Sequence, residues 1–249
     1  MGGNFARIFG QKPAGLEEIS ESFPGLGSDP PDLRKQGRTV DSPTVPAPSS
    51  DHAPRIGLFG GTFDPVHVGH LVTAVNVRHA LGLDRVILMV ANIPWQKEGQ
   101  RRITPAADRL AMVEAAVRGV EGLEAGRWEI DHGGESYTAD TLRALRDAQP
   151  EAELFTIVGD DAASGLTTWE RFEDVLRLSR VVVVDRPGAP VQLSSTIDWM
   201  RVEVPRLEVS STDLRARFRD GRPLDYLITD EVLAVIRERR LYASGCDRS

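Results

Sequence analysis

Two segments of the chain are apolar at nearly every position, and they constrain the fold more than any other feature. Residues 85–90 read RVILMV, and residues 181–184 are four consecutive valines. A strand with one face in water alternates apolar and polar residues, so an unbroken apolar run indicates a strand that is covered on both faces. We therefore predict an α/β fold, a Rossmann-like parallel sheet with helices on both faces.

Other segments of the chain alternate between strand-like and helix-like patterns. Gly82 marks the end of a predicted helix over residues 68–81. A second helix start is indicated where Thr104, a good N-cap, is followed by Pro105, which suits the first turn. The other predicted helices are residues 138–148 and 168–178, and the other predicted strands are residues 56–59, 128–130, 154–158 and 201–204.

Residues 1–54 differ in composition from the rest of the chain. They hold eight of the sixteen prolines and almost no periodic apolar pattern. Such a segment cannot bury enough apolar surface to offset the entropy lost on ordering. We predict a disordered Pro-, Ser- and Gly-rich extension over residues 1–54 and one folded domain over residues 55–245. A regulatory or partner-binding arm and a start codon assigned too far upstream are the alternatives for the extension.

The net charge and the cysteine content limit which partners and which cellular compartment we expect for the protein. The formal net charge is -7, which disfavours nucleic acid and membranes as partners, although a local basic site for a small anion can exist in an acidic protein. The single cysteine, Cys246, excludes a disulfide framework. The sequence has no run of about 18 apolar residues that could span a membrane. We expect a cytoplasmic protein, and a homo-oligomer is possible.

The segment GGTFDPVHVGH, residues 60–70, lies between the first predicted strand and the first predicted helix. Gly60 and Gly61 would let the backbone turn tightly and approach a ligand closely. A helix start offers unpaired N–H groups and a partial positive charge, which together suit a phosphate. His67 and His70 are three residues apart and share one face of that helix, where both imidazoles can donate to phosphate oxygens. A metal site is the alternative for this pair, but the sequence has no second histidine pair to complete a protein cage.

The segment VSSTDLR, residues 209–215, follows the last predicted strand and opens another helix. Ser210 or Ser211 suits the N-cap position, and a simply capped helix is the plain alternative. With hydroxyl groups at the helix start and Arg215 one turn further on, the same geometry would converge on phosphate groups. We therefore predict that this segment and residues 60–70 both bind phosphate groups and that they face each other in the fold.

Together these motifs resemble those of a known family. The segment from Gly61 to His70 is similar to the signature of the HxGH nucleotidyltransferases, and the later motifs resemble bacterial nicotinate mononucleotide adenylyltransferases in particular. The resemblance covers residues 55–242 and implies a catalytic domain with the nucleotidyltransferase fold. The ATP-binding residues that it implies are Gly60, Gly61, Thr62, Phe63, His70, Asp161, Arg186, Ser210, Ser211, Thr212 and Arg215, and the implied catalytic residues are His67, His70, Lys97 and Arg215.

Further segments of the family pattern concern the acceptor of the transferred group. SYTADTL, residues 136–142, resembles a family segment in which Thr138 and backbone amides at a helix start would receive a pyridine carboxylate. The resemblance also implies that Trp169 stacks on the pyridine ring, that Tyr137 lines the acceptor site, and that Lys97 brings positive charge to phosphate. An ordinary capped helix is the alternative for residues 136–142.

Alternatives remain open for other implied residues. Asp161, which the resemblance assigns to a ribose, could instead form a metal or acid–base site with Asp160. Trp169 could belong to the core, and Arg186, implied near the adenine, could simply lie in a turn. Gln96 stands where many family members have a histidine, so only the lysine of that pair is present.

The implied reaction transfers AMP from ATP to nicotinate mononucleotide and yields nicotinate adenine dinucleotide, a precursor of NAD, with pyrophosphate. The acceptor phosphate would attack the α-phosphorus in line, so positioning and charge stabilisation supply most of the catalysis. Mg²⁺ is the expected cofactor, held by ATP oxygens and water, with no metal ligand expected from the protein. The alternatives are pantetheine-phosphate adenylyltransferase, a cytidylyltransferase, and a non-catalytic nucleotide sensor of the same fold.

Overall fold

The structure is a computed structural model, and it describes residues 52–94, 103–185, 193–205 and 207–242. The strands in these ranges are β1 (Arg55–Gly61), β2 (Arg85–Val90), β3 (Leu123–Gly126), β4 (Glu153–Val158), β5 (Arg180–Asp185) and β6 (Met200–Glu203). They form one parallel sheet in the order β3-β2-β1-β4-β5-β6. The chain order reverses between β1 and β4, and ligands of open α/β sheets bind at the carboxyl ends of strands at such a switch point.

The helices cover both faces of this sheet, which confirms the predicted fold class. They are α1 (Val68–Leu81), α2 (Ala106–Val117), α3 (Trp128–His132), α4 (Thr138–Ala148), α5 (Asp160–Ser164), α6 (Phe172–Leu178), α7 (Ser211–Asp220) and α8 (Asp230–Glu238), with a 3₁₀ helix at Leu166–Thr168. Apolar residues of α1, α2, α7 and α8 pack in one core cluster, and those of α4 and α6 pack in the other. None of the described helices is long and apolar enough to cross a membrane.

The two apolar runs form interior strands of the sheet, as predicted. In β2, Val86 and Leu88 belong to the first core cluster, whereas Ile87 and Met89 belong to the second. Successive side chains of a strand point to opposite faces, so both faces must be covered by helices. The valines of β5 divide between the two clusters in the same way. Because helices cover both faces of the sheet, the ends of the strands are where a ligand-binding site can form.

Helix boundaries were predicted well where the signals are local. Helix α1 spans the predicted residues and ends at Gly82, whose φ of 57° allows its N–H to reach the carbonyl oxygens of Arg78 and His79. Helix α4 also has its predicted bounds. Helix α2 begins at Ala106, with Pro105 rather than Thr104 at the N-cap position. The short helix α5 and the last helix, α8, were not predicted.

The strand predicted over residues 128–130 is wrong, because these residues begin helix α3. The third strand is β3 instead, where Leu123 pairs with Val86 and Gly126 pairs with Met89. The apolar–polar–apolar order of Trp128 to Ile130 fits the period of a strand, but Glu129 is the buried residue of this short helix. A pattern of three residues is too short to distinguish the two periods.

The helix predicted over residues 168–178 is interrupted. The chain leaves the 3₁₀ helix at Trp169, which is extended, and Arg171 adopts a left-handed φ of 55° before α6 begins at Phe172. The guanidinium of Arg171 donates to the carboxylate of Asp140 at 2.5 Å and lies 5.2 Å from the ring centroid of Tyr137. We attribute the break to these contacts with helix α4, since local sequence gives no stop signal there.

Candidate active site

Two cavities open at the carboxyl ends of the strands, and they meet at the switch point. The larger cavity has a volume of about 720 Å³, and the smaller cavity has a volume of about 250 Å³. Residues at the ends of β1 and β4 form their common wall, which consists of Phe59, Gly61, Thr62, Gly159 and Ala162. Two ligands seated in these cavities would therefore be adjacent across the ends of β1 and β4.

The two histidines of the first motif lie in the wall of the larger cavity. His67 is the N-cap of α1 and is buried, and His70 lies one turn inside the helix with its ring stacked on that of His67, 3.7 Å between centroids. The backbone N–H of His67 donates to Nδ1 of His70 at 3.2 Å. Because Nδ1 accepts this bond, a neutral His70 carries its proton on Nε2 and can donate it to a ligand.

The glycines before the histidines do not make the predicted turn. Gly60 and Gly61 are the last residues of β1, and neither has a positive φ. The turn lies at Phe63, which has a φ of 48° and packs its ring edge-on to His70 at 5.0 Å. A Cβ at Gly61 would lie 2.8 Å from that ring, so close packing explains this glycine. A Cβ at Gly60 would meet no atom within 4 Å in the part of the chain that the structure describes.

The second motif meets the first across the same cavity. Ser210 caps α7, and its Oγ accepts the N–H of Asp213 at 3.2 Å. Ser211 donates its hydroxyl proton to the carbonyl oxygen of Pro65 at 2.8 Å. Arg215 donates to the carbonyl oxygen of Asp64 at 2.6 Å. The N-terminal ends of α1 and α7 thus lie side by side, and both motifs line the larger cavity.

Arg215 and the neighbouring acidic residues complete the polar wall of the larger cavity. A second guanidinium N–H of Arg215 donates to the hydroxyl of Thr212 at 3.1 Å, so its orientation is fixed from two sides. Asp160 and Asp161 line the same cavity at the start of α5. Among the described residues, no three His, Cys, Asp or Glu side chains form a group that could hold a metal ion. Arg186, implied near the adenine, lies outside the described residues.

The smaller cavity brings together the predicted acceptor residues that are described. Tyr137, the N-cap of α4, lines it with Thr138, the first residue of that helix, and with the half-buried Trp169. The hydroxyl of Tyr137 donates to the carboxylate of Glu135. A helix start leaves its first N–H groups without intrahelical partners, which suits an anionic group in this cavity. Lys97 lies outside the described residues, as does most of the predicted extension over residues 1–54.

Comparison with known proteins identifies the family. Residues 58–217 match the cytidylyltransferase-like family model. A Corynebacterium kroppenstedtii protein, named "Probable nicotinate-nucleotide adenylyltransferase", is 41% identical over 200 residues, which cover 78% of this chain and 93% of that protein. The chain belongs to the nicotinate-nucleotide adenylyltransferases. A protein of the same name from Mycolicibacterium smegmatis is 40% identical over 192 residues, or 74% of this chain and 90% of that protein.

Solved structures agree on the fold of this adenylyltransferase. The nicotinic acid mononucleotide adenylyltransferase of Plasmodium falciparum, solved as a complex with NaAD, has a TM-score of 0.61 and 15% sequence identity. The match covers 76% of this chain and 97% of that chain. At this identity the likeness supports the fold alone, and it confirms the nucleotidyltransferase architecture that the motifs implied.

One side chain in the smaller cavity of this adenylyltransferase was missed by the sequence reasoning. Glu129 is buried in α3, accepts the hydroxyl proton of Thr141 at 2.7 Å and is also hydrogen-bonded to the side chain of Ser136. Burial raises the pKa of its carboxyl, and hydrogen bonds and the charge of Arg109 only partly oppose this. Ser136 also accepts the N–H of Asn92 at 2.7 Å, so Glu129 helps to hold two loops of the cavity together.

A buried arginine supports the same region of the site, and the sequence reasoning also missed it. Arg109 of α2 is 1% exposed and donates to four backbone carbonyl oxygens at 2.7–2.9 Å. These belong to Thr62, Ala91, Asn92 and Thr104. A buried guanidinium needs such partners, and here they fix the segments that follow β1 and β2. The one sequence signal was a charged residue within the apolar pattern of this helix.

Proposed function

We propose that this adenylyltransferase transfers AMP from ATP to nicotinate mononucleotide and releases nicotinate adenine dinucleotide and pyrophosphate. The observation that carries the proposal is the pair of cavities with a common wall at the switch point. The larger cavity, with two helix N-termini and two imidazoles, has the donors that a triphosphate requires. The names of the relatives support nicotinate mononucleotide as the acceptor.

The transfer itself needs no nucleophile from the protein. A phosphate oxygen of the acceptor forms a bond to the α-phosphorus of ATP, and the bond from that phosphorus to the bridging oxygen of pyrophosphate breaks. Negative charge grows on the leaving pyrophosphate, so donors aimed at it stabilise the transition state more than the ground state. We assign this role to His70 through Nε2–H and to His67 beside it.

The outer phosphates are assigned to the start of α7. Its first N–H groups, including that of Ser211, the hydroxyls of Ser210 and Thr212, and the guanidinium of Arg215 would hold the β- and γ-phosphates. On the strand side, Gly60, Gly61, Thr62 and Phe63 would support the nucleotide, Asp161 would accept from a ribose, and Arg186 would lie near the adenine. These assignments extend the family resemblance to the contacts described above.

The acceptor is assigned to the smaller cavity. Trp169 would stack on the pyridine ring, and Tyr137 and Thr138 would receive its carboxylate at the N-terminus of α4. The described charged side chains that line this cavity are Glu129 and Glu170, so within the described ranges the attraction to a carboxylate comes from the helix start. Lys97 is our candidate for an additional positive charge.

We propose Mg²⁺ as the cofactor that accompanies ATP. Three aspartates, Asp64, Asp160 and Asp161, line the larger cavity, but Asp64 is hydrogen-bonded to Tyr242 and no metal-binding group is found among the described residues. We therefore assign the ion to phosphate oxygens and water. Its contribution would be to neutralise charge on the departing pyrophosphate.

Pyrophosphate release with a panel of substrates tests this proposal. ATP, CTP and GTP are each combined with nicotinate mononucleotide, nicotinamide mononucleotide and phosphopantetheine, with and without Mg²⁺. We expect the highest kcat/KM for ATP with nicotinate mononucleotide and a dinucleotide product of the corresponding mass. Preference for CTP or for phosphopantetheine would contradict the proposal, and so would the absence of pyrophosphate release with every pair.

A further inference from the structure

Tyr242, the last described residue, reaches back to the first motif. Its hydroxyl donates to Oδ1 of Asp64 at 2.6 Å, across 178 positions of sequence. Its ring packs on Phe218 of α7, 5.3 Å between centroids, and its oxygen lies 3.9 Å from Sδ of Met112 in α2. Burial and the Asp64 carboxylate raise the pKa of the Tyr242 hydroxyl, so it remains protonated and can act as a donor at physiological pH.

Asp64 connects this tyrosine to the ATP-binding motifs. The residue is 1% exposed, and its second carboxylate oxygen accepts the N–H of Thr104 at 3.5 Å. Its backbone carbonyl oxygen accepts a guanidinium N–H of Arg215 at 2.6 Å. A buried carboxylate requires hydrogen-bond donors. Of the two bonds described, the one from the Tyr242 hydroxyl is the shorter.

We infer that Tyr242 is a positioning residue for ATP: its hydroxyl fixes Asp64, and the Asp64 carbonyl in turn aims Arg215 into the larger cavity. The inference rests on the proposed function, because Arg215 matters only if a phosphate binds there. Without the hydroxyl, the buried carboxylate loses the shorter of its two described hydrogen bonds. Arg215 already donates to the backbone carbonyl of Asp64, so its guanidinium can turn toward the carboxylate, and each N–H that turns is lost to the phosphates.

A conservative variant isolates this effect from packing. Tyr242→Phe keeps the ring against Phe218 and Met112 and removes only the hydroxyl. Tyr226→Phe is the matched control, because Tyr226 is 93% exposed and also has a positive φ, of 61°. Binding of α,β-methylene ATP to the full chain is measured by calorimetry without any acceptor, and urea unfolding checks that each variant is folded.

We expect Tyr242→Phe to raise the Kd for the analogue about 10- to 100-fold, the scale of one hydrogen bond to a charged group, while the KM for the acceptor stays within about twofold. Tyr226→Phe should change neither. In an Arg215→Ala background, Tyr242→Phe should have little further effect, because it acts through Arg215.

Two results would overturn the inference while leaving the proposed function intact. One is a Tyr242→Phe variant that binds the analogue as the wild type does. The other is an equal loss of affinity with and without Arg215, which would indicate a general structural role. A folded wild-type chain that does not bind the analogue would contradict the proposed function as well, so the two failures can be distinguished.

Discussion

At the scale of single residues, we propose that catalysis depends most on His70. Its Nδ1 accepts the backbone N–H of His67, so in the neutral ring the proton is on Nε2, and we propose that Nε2–H donates to the phosphates. We expect His70→Ala to lower kcat/KM for pyrophosphate release by about 100- to 1000-fold, or about 3–4 kcal/mol, as for the loss of one oxyanion donor. His79→Ala on the exposed side of the same helix is the control and should leave turnover unchanged. Unchanged turnover in His70→Ala would remove this residue from the mechanism.

A substitution at Gly60 tests whether a substrate occupies the smaller cavity. A Cβ there meets no atom of the described residues within 4 Å, and the residue does not require a positive φ. We therefore expect Gly60→Ala to change the free energy of unfolding by less than about 1 kcal/mol but to raise the KM for the acceptor. Gly165→Ala, outside both cavities, should change neither quantity. An unaltered acceptor KM in Gly60→Ala would mean that the substrate does not approach this backbone.

Glu129 predicts a specific pH dependence of stability. Burial raises the pKa of its carboxyl above the ordinary 4.5, so the folded state holds a proton that the unfolded chain releases. Stability from this group is therefore fully present below pH 4.5 and falls as the pH rises through the raised pKa. Relative to Glu129→Gln, the wild type should lose stability as the pH rises above the ordinary pKa of 4.5, measured by urea unfolding. Glu121→Gln, at a side chain 94% exposed, is the control. A constant difference between wild type and Glu129→Gln would contradict the raised pKa.

At the scale of elements, prediction succeeded where the signal is local and failed where tertiary contacts decide. Helix α1 was predicted to the residue because Gly82 stops it by a backbone property of its own. The break before α6 depends instead on contacts of Arg171 with α4. The residues next to Arg171 in the sequence do not indicate these contacts. The tight turn predicted at the glycines that end β1 is made by Phe63 instead. Their close approach to a ligand stays a prediction.

Gly82 allows the backbone contribution at the end of α1 to be measured alone. Its φ is 57°, and among the described residues the nearest atom to a Cβ there would be Nη1 of Arg55 at 3.6 Å. We expect Gly82→Ala to lower the free energy of unfolding by about 1 kcal/mol, the cost of a left-handed conformation in a residue with a Cβ. Activity should be unchanged, because the residue lies at the opposite end of α1 from the histidines. Equal stability of wild type and variant would contradict a backbone origin.

At the scale of the whole molecule, the parallel sheet determines where the motifs meet. The apolar runs predicted this sheet, and the order reversal between β1 and β4 brings both cavities to one edge. The sequence could indicate that residues 60–70 and 209–215 bind phosphate, but not that Ser211 would bond Pro65 directly. The contacts that Arg109 and Tyr242 make with distant backbone and side-chain atoms depend on the tertiary structure, and the sequence pattern does not predict them.

The most direct test of the account is a crystal structure of the chain with α,β-methylene ATP and nicotinate mononucleotide. We predict one triphosphate in the larger cavity, with Nε2 of His70 and the guanidinium of Arg215 both within hydrogen-bond distance of its oxygens. The acceptor phosphate should face the α-phosphorus from the smaller cavity. A triphosphate that contacts only one of the two helix starts, or an acceptor bound away from the common wall, would contradict adenylyl transfer by this site.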